Sequence, residues 1–333
     1  MAQFDYNKVK DPRFFKENVL PAHSAHVIYR DREEYLLGNS SLRMPLDGVW
    51  KFSYAINQAA APAGFEKEAF DCKCWESICV PAHIQMEGYD VPQYANVQYP
   101  WDGREELNPG EIPERFNPTA SYVKYFEVPQ EMRGKEIHIS FQGVESGMAL
   151  WLNGSYVGYS EDSFTPSEFD LTPFLKEGEN KLAVQVYKWT SSSWCEDQDF
   201  LRFSGIYRSV YLYAVPSVHI EDIRVKTLFE GHDFGEAGLE VVTGTVGSGK
   251  IRYRFMDGDR TLFDLEEEIV PEETDPAGKR LPEDGHRTGK VVLRKKIRAP
   301  KLWSAEEPHL YRLEIEAVGA SGRVEEYTVQ MVG

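Results

Sequence analysis

The chain has 333 residues, a length that suggests roughly two domains. Its formal net charge of −17 lacks the basic footprint that nucleic acid or an anionic membrane surface would require. Hydrophobic residues make up 41% and aromatics 13%, enough to bury substantial cores and a bias that favours strands.

Residues 1–40 are polar and irregular with scattered aromatics, and read as an arm that leans on something else. The opening MAQFDYNKVKDPRFF has no apolar stretch of the signal-peptide kind. No apolar run anywhere approaches the ~20 residues of a membrane-spanning helix. After the turn Pro45-Leu46-Asp47-Gly48, residues 49–54 read as a half-buried strand whose residues alternate from Trp50 onward. Residues 57–71 read as a loop, and residues 78–81 as a short strand ended by proline. Cys72, Cys74 and Cys79 cluster here, and Cys195 stands apart. Cys72-x-Cys74 lacks a zinc-knuckle spacer and no paired His follows, so buried or reduced thiols of a cytoplasmic protein are expected.

Residues 85–118 are punctuated by Pro, Gly and Asn with aromatics interleaved. A long irregular stretch in a compact domain is usually functional or disordered, and the aromatics argue against disorder, so a binding loop is expected. Strands resume over 122–128, 135–141, 149–152 and 156–159, the last two joined by Asn153-Gly154, a strong hairpin signal. A helical turn is expected over 170–175, with Thr172 as cap, Pro173 at the first position and Gly178 as terminator. Residues 181–189 and 209–214 are further strands, and Pro216 marks a boundary. Beyond it, strands are expected over 218–228, 239–245, 250–256, 290–297, 310–317 and 323–331, with a charged loop at 271–289. Some seven strands in about 117 residues suit an immunoglobulin-like sandwich. The chain therefore reads as all-β: an arm at 1–40, a first domain over 41–216 and a second over 217–333.

No nucleophile elbow, phosphate loop, zinc-protease helix or dinucleotide fingerprint occurs. Gly247-Ser248-Gly249 reads as a plain turn. The sharpest local candidate is Glu196-Asp197-Gln198-Asp199, with Trp194, Phe200 and Phe203 around it. If extended, it places Asp197 and Asp199 on one side and Glu196 and Gln198 on the other. Its carboxylates suit general acid/base work, a hard cation or sugar hydroxyls, or else a solvated acidic loop. Asn96, in Tyr94-Ala95-Asn96-Val97, is an amide among aromatics that can donate to and accept from hydroxyls; a turn residue is its plainer reading.

Several longer motifs resemble the sugar-binding part of glycoside hydrolase family 2, the family of the large bacterial β-galactosidases. They are the stretches 80–90 (with Ile84 where the family usually has Trp), 92–100, 117–122, 162–171, 178–180, 204–208 and 300–311. The resemblance runs from about residue 40 to 333 and is weaker over 1–40 and 217–290. It implies a galactose-binding-like jelly-roll sandwich followed by an immunoglobulin-like sandwich. It implies that Asn96 reaches the sugar, that Asp199 contacts the sugar and a sodium ion, and that Glu196 and Asp197 shape the loop. The family's catalytic glutamates and magnesium ligands belong to a (β/α)₈ barrel, and no βα repeat is present here. The resemblance thus implies the N-terminal two domains of a retaining β-galactosidase acting on β-galactosides such as lactose, needing Mg²⁺ and Na⁺, homo-oligomeric and inactive as this piece alone. The alternatives are a stand-alone carbohydrate-binding module, or a family enzyme of β-glucuronidase or β-mannosidase type.

Overall fold

Alternating stretches of the sequence become antiparallel strands in the computed structural model, which describes residues 4–196, 199–231, 233–271 and 288–333. Contacts divide the chain into two units. One contains Met1–Leu20 and Met44–Tyr213, the other Pro21–Arg43 and Ala214–Gly333.

In the first unit a seven-stranded sheet runs in the order Lys16–Glu17, Ser155–Ser160, Gly147–Leu152, Glu179–Tyr187, Thr119–Glu127, Gly48–Ala55, Glu76–Val80. A four-stranded sheet is ordered Ser167–Asp170, Glu136–Phe141, Val210–Val215, Arg43–Pro45. All six residues of Gly147–Leu152 are buried. Side chains alternate faces along a strand. Ala149 and Trp151 therefore share one face with Val123, Ala183 and Tyr187, while Leu150, Leu152, Val184 and Val186 are buried on the other. Both faces are covered, so these strands read as continuous apolar text rather than an alternation.

The first residues supply part of that cover. Val9 is fully buried, and Phe4, Tyr6 and Phe14 pack against the same cluster. The Phe4 ring lies 5.3 Å from Tyr159 and 5.8 Å, edge-on, from Trp151. The aromatics expected to lean on something else lean on their own sheet. The Asn153-Gly154 hairpin forms with positive φ at both residues (52° and 80°), as a two-residue turn of this type needs.

The helical turn is a single 3₁₀ turn over Thr172–Phe174 with Leu171 at the cap position and no side-chain cap. Thr172 is not the cap expected of it. Its hydroxyl accepts the Ile137 N–H at 2.9 Å, stitching the turn to the neighbouring strand.

In the second unit, two four-stranded sheets face a core of Val241, Ile251, Tyr253, Phe255, Leu313 and Ile315. One is ordered His219–Glu230, Asp233–Val246, Gly289–Arg298, Val270–Pro271; the other Arg260–Glu268, Gly249–Asp257, Tyr311–Gly319, Val324–Val332. Sequence reading missed Arg260–Glu268 and Val270–Pro271. The former is an exposed edge with no clean alternation, held by cross-strand ion pairs of Arg252 with Glu266 and Arg254 with Asp264. Of the charged loop expected at 271–289, residues 272–287 lie outside the described residues. The segment 21–43 belongs here too. Asp31 caps the helix Arg32–Leu37 through the Glu34 N–H, and Gly38 closes it with φ 67°. Tyr29 pairs with Tyr327.

Candidate functional site

Two stretches distant in sequence meet as a small ribbon. Gln93–Ala95 pairs antiparallel with Phe200–Arg202, with Ala95 opposite Phe200. Asn96 and Asp199 are the next residues on each strand, so they leave the same end of the ribbon side by side. The Asn96 amide donates to the Tyr94 hydroxyl at 3.3 Å. The Tyr94 hydroxyl in turn donates to Asp199 Oδ1. The carboxylate raises the Tyr94 pKa above its ordinary value, so the phenol keeps the proton it donates. Asn96 and Asp199 are both exposed.

Neither described end of the acidic run has strand geometry. Glu196 ends the short helix Ser193–Glu196, and Asp199 has φ +40°, a left-handed conformation that Asp tolerates better than most residues. Asp197 and Gln198 lie outside the described residues. The placement of Asp197 beside Asp199 and of Glu196 beside Gln198, expected of an extended run, therefore falls outside the described residues.

The base of the ribbon is aromatic. Tyr99 stacks on Trp101 at 5.2 Å, and Trp194 packs on both at 4.4 and 4.9 Å. The Trp194 indole donates to the Glu111 carbonyl at 2.7 Å, and Trp101 is buried. These rings tie the 85–118 stretch to the acidic loop.

Beneath the ribbon lies a set of buried charges. Arg202 is 1% exposed, donates to the Glu196 carbonyl at 3.0 Å, and sits over the Trp189 ring at 5.5 Å. Glu196 turns inward and accepts from Ser163 Oγ at 3.0 Å. Burial raises its pKa to about 7, although Ser163 and Arg202 pull it down. Glu145 is likewise pushed up to about 7 by burial, against the pull of Arg202. Lys188 and Asp90 form an ion pair at 2.5 Å with side chains 1% and 3% exposed. Gln85 donates to Asp90 at 2.9 Å and to Ser204 Oγ at 2.8 Å, and accepts the Ser204 N–H at 2.9 Å. Glu161 is buried and satisfied by Tyr159, Ser191 and both the N–H and hydroxyl of Ser192, which fixes the chain just before the acidic loop.

Gly205 follows with φ 118°. A Cβ there would lie 3.0 Å from the Ala82 carbonyl oxygen and 3.1 Å from Ile84 and Tyr122 side-chain atoms. Ile84 is itself buried at 1%.

The exposed tip thus offers one amide, one phenol and one carboxylate. That set recognises hydroxyl groups and gives a hard cation one oxygen. It is not the pair of carboxylates that hydrolysis of a glycosidic bond uses. Sequence reading singled out Asn96 and Asp199 and missed Tyr94, which joins them, and the buried Lys188–Asp90 pair. Tyr94 is separated from Asp199 by 105 positions, and nothing in one sequence reports a contact over that span.

Comparison with known proteins matches residues 43–216 to the glycosyl hydrolases family 2 sugar binding domain and residues 218–333 to a second glycosyl hydrolases family 2 domain. A β-galactosidase of Halalkalibacterium halodurans is 44% identical over 330 residues, covering 98% of this chain and 31% of that protein. A β-galactosidase large subunit of Latilactobacillus sakei is 37% identical, covering 97% of this chain and 51% of that protein. The chain thus spans 31% to 51% of the length of these relatives. Among solved structures, a β-glucuronidase of Bacteroides uniformis superposes with a TM-score of 0.67 at 19% identity, over 87% of this chain and 32% of that one. At that identity the likeness concerns the fold alone.

Proposed function

The chain belongs to glycoside hydrolase family 2, and from that premise we propose that it forms part of a retaining β-galactosidase that hydrolyses terminal β-D-galactosides. Its own contribution is recognition. The observation that carries this reading is the Asn96–Tyr94–Asp199 chain of hydrogen bonds at the tip of the ribbon. Tyr94 spends its proton on Asp199 Oδ1, which fixes the carboxylate. The other Asp199 oxygen is then available for a sugar hydroxyl or for Na⁺, whose preference for oxygen donors it suits. The Asn96 amide, fixed by the same phenol, accepts from a hydroxyl through its oxygen. The galactosidases among the sequence relatives support the choice of sugar.

In this reading the two carboxylates that protonate the leaving group and attack the anomeric carbon come from a barrel outside these 333 residues, together with the Mg²⁺ ligands. Lactose is the natural test substrate, and the assembled enzyme is a homo-oligomer. It works in the cytoplasm, a reading supported by four cysteines that all stand as free thiols. Among the described residues, no helix is long and apolar enough to cross a membrane.

The test is kinetic. In the full-length enzyme, Asn96→Ala and Asp199→Ala should each raise KM and lower kcat for a chromogenic β-galactoside. Loss of a hydrogen bond to the charged Asp199, about 1.5–3 kcal/mol, lowers kcat/KM roughly 10- to 150-fold, and loss of one to the neutral Asn96, about 0.5–1.5 kcal/mol, roughly 2- to 13-fold. Unchanged kinetics in both variants would remove the ribbon from the sugar site. Turnover by the purified 333-residue chain would show that the barrel is not needed.

A further inference from the structure

A second cluster of ligand-type side chains lies in the first unit, on the four-stranded sheet. His138 and Asp170 are direct register partners on the paired strands Glu136–Phe141 and Ser167–Asp170. Glu136 lies two residues before His138, hence on the same face. The three groups bring one imidazole nitrogen and two carboxylate oxygens within 4.8 Å of one another. His138 is 6% exposed, Glu136 is exposed and Asp170 half-buried.

The imidazole is oriented from behind. Its Nδ1 lies 3.3 Å from the Tyr213 hydroxyl, and that hydroxyl donates to Glu168 Oε2 at 2.6 Å. A hydroxyl whose proton points at a carboxylate can only accept from the ring, so Nδ1 carries the hydrogen. The other ring nitrogen, Nε2, faces Glu136 Oε1 at 3.1 Å. With Nδ1 bound to hydrogen, Nε2 and the Glu136 oxygen are placed to share a cation. A carboxylate–tyrosine relay behind a histidine, fixing its tautomer, is the kind of outer support that metal-ligating histidines have.

The nearby cations do not fill that role. Lys135, Lys176 and Arg133 line the same groove, but Lys135 donates to the Glu131 carbonyl, Lys176 pairs with Glu68, and Arg133 donates to the Val128 carbonyl. Asp170 Oδ1 accepts the Thr172 N–H at 2.8 Å, which leaves Oδ2 as a ligand atom.

We propose that Glu136, His138 and Asp170 form a binding site for a divalent first-row transition ion of the zinc class, with water in the fourth position. One nitrogen and two oxygens suit such an ion better than Mg²⁺ or Ca²⁺, which favour all-oxygen shells. Metal–ligand bonds of about 2.0–2.2 Å place tetrahedral donors roughly 3.3–3.5 Å apart. The Glu136–His138 spacing is already close to this, and the exposed Glu136 side chain has room to adjust. The ion joins two neighbouring strands at the rim of the sheet and is independent of the galactoside reading.

Cobalt(II) is the probe, titrated into the 333-residue chain. Visible bands that arise without a thiolate-to-cobalt charge-transfer band separate this site from the four cysteines. One equivalent of cobalt of that kind is expected in the parent chain. Glu136→Gln and Asp170→Asn should weaken it at least tenfold. Tyr213→Phe, which keeps all three ligands and removes only the hydroxyl behind His138, should weaken it by about 10- to 100-fold. Thermal melts matching the parent's establish that the variants are folded. If no thiolate-free cobalt binds, or if folded Glu136→Gln and Asp170→Asn bind it unchanged, the cluster holds only a proton and the proposal fails.

Discussion

Removing Asp90 should cost the first unit far more than a single surface charge would. Asp90 and Lys188 pair at 2.5 Å with almost no exposure, and Gln85 adds a further hydrogen bond to the same oxygen. In Asp90→Ala the Lys188 ammonium stays buried with Glu145 as the nearby anion. Stranding one partner of a buried pair costs about 3–5 kcal/mol. For a domain of 150–250 residues, each kcal/mol shifts Tm by roughly 2–4 °C, so a fall of about 6–20 °C is expected. Six of the seven tryptophans lie in this unit, so tryptophan fluorescence follows its unfolding apart from the second unit, which a single two-state analysis would merge. Burial already lowers the Lys188 pKa, with Asp90 opposing that shift. Without Asp90 the pKa falls further. A depressed ammonium recovers stability as pH rises towards the ordinary lysine value near 10.4, so the deficit should shrink there. The double variant Asp90→Leu/Lys188→Met removes both charges and should be less destabilised than Asp90→Ala alone. A Tm for Asp90→Ala within about 2 °C of the parent, roughly 1 kcal/mol, would refute the reasoning. So would a double variant that loses the sum of the two single losses.

Two further outcomes follow from the same unit. Glu145 and Glu196 are raised to about 7 from an ordinary value near 4.3. The stability they permit is complete below that ordinary value and is lost as pH rises through 7. The Tm advantage of Glu145→Gln or Glu196→Gln over the parent should therefore grow between pH 5 and pH 7.5, and a constant difference would exclude these groups. Val9 is fully buried against the seven-stranded sheet. Val9→Ala removes two methyl groups and leaves a cavity, for an expected loss of about 2–3 kcal/mol in urea unfolding. A neutral result would mean that the first residues do not help hold the unit.

Much of the fold was legible wherever a local rule sufficed. Asn153-Gly154 needs positive φ at both positions, and the hairpin follows. The continuous apolar text of Gly147–Leu152 marks a strand, although one sequence does not say what covers its second face. Here the cover is Phe4, Tyr6 and Phe14, more than a hundred residues away. Thr172 failed as a predicted cap because a longer-range bond to Ile137 took its hydroxyl. Arg260–Glu268 escaped because its core-facing residues Leu262, Phe263 and Leu265 are only partly buried and do not alternate cleanly with the exposed ones. At the site, motif resemblance pointed to Asn96 and Asp199, while the joining role of Tyr94 and the charge pair beneath them depend on contacts 105 and 98 positions apart.

The second unit is discontinuous, built from Pro21–Arg43 and Ala214–Gly333. A ribosome therefore releases the first piece about 170 residues before the second piece starts to emerge. At 5–20 residues per second that interval is roughly 10–35 s. For that time Ile28, buried at 8% in the finished protein, and Tyr29, which later pairs with Tyr327, have no sheet to join, while the sandwich encoded between the two pieces can already close. The nascent chain thus carries Ile28 and Tyr29 without their partners until the second piece has been made.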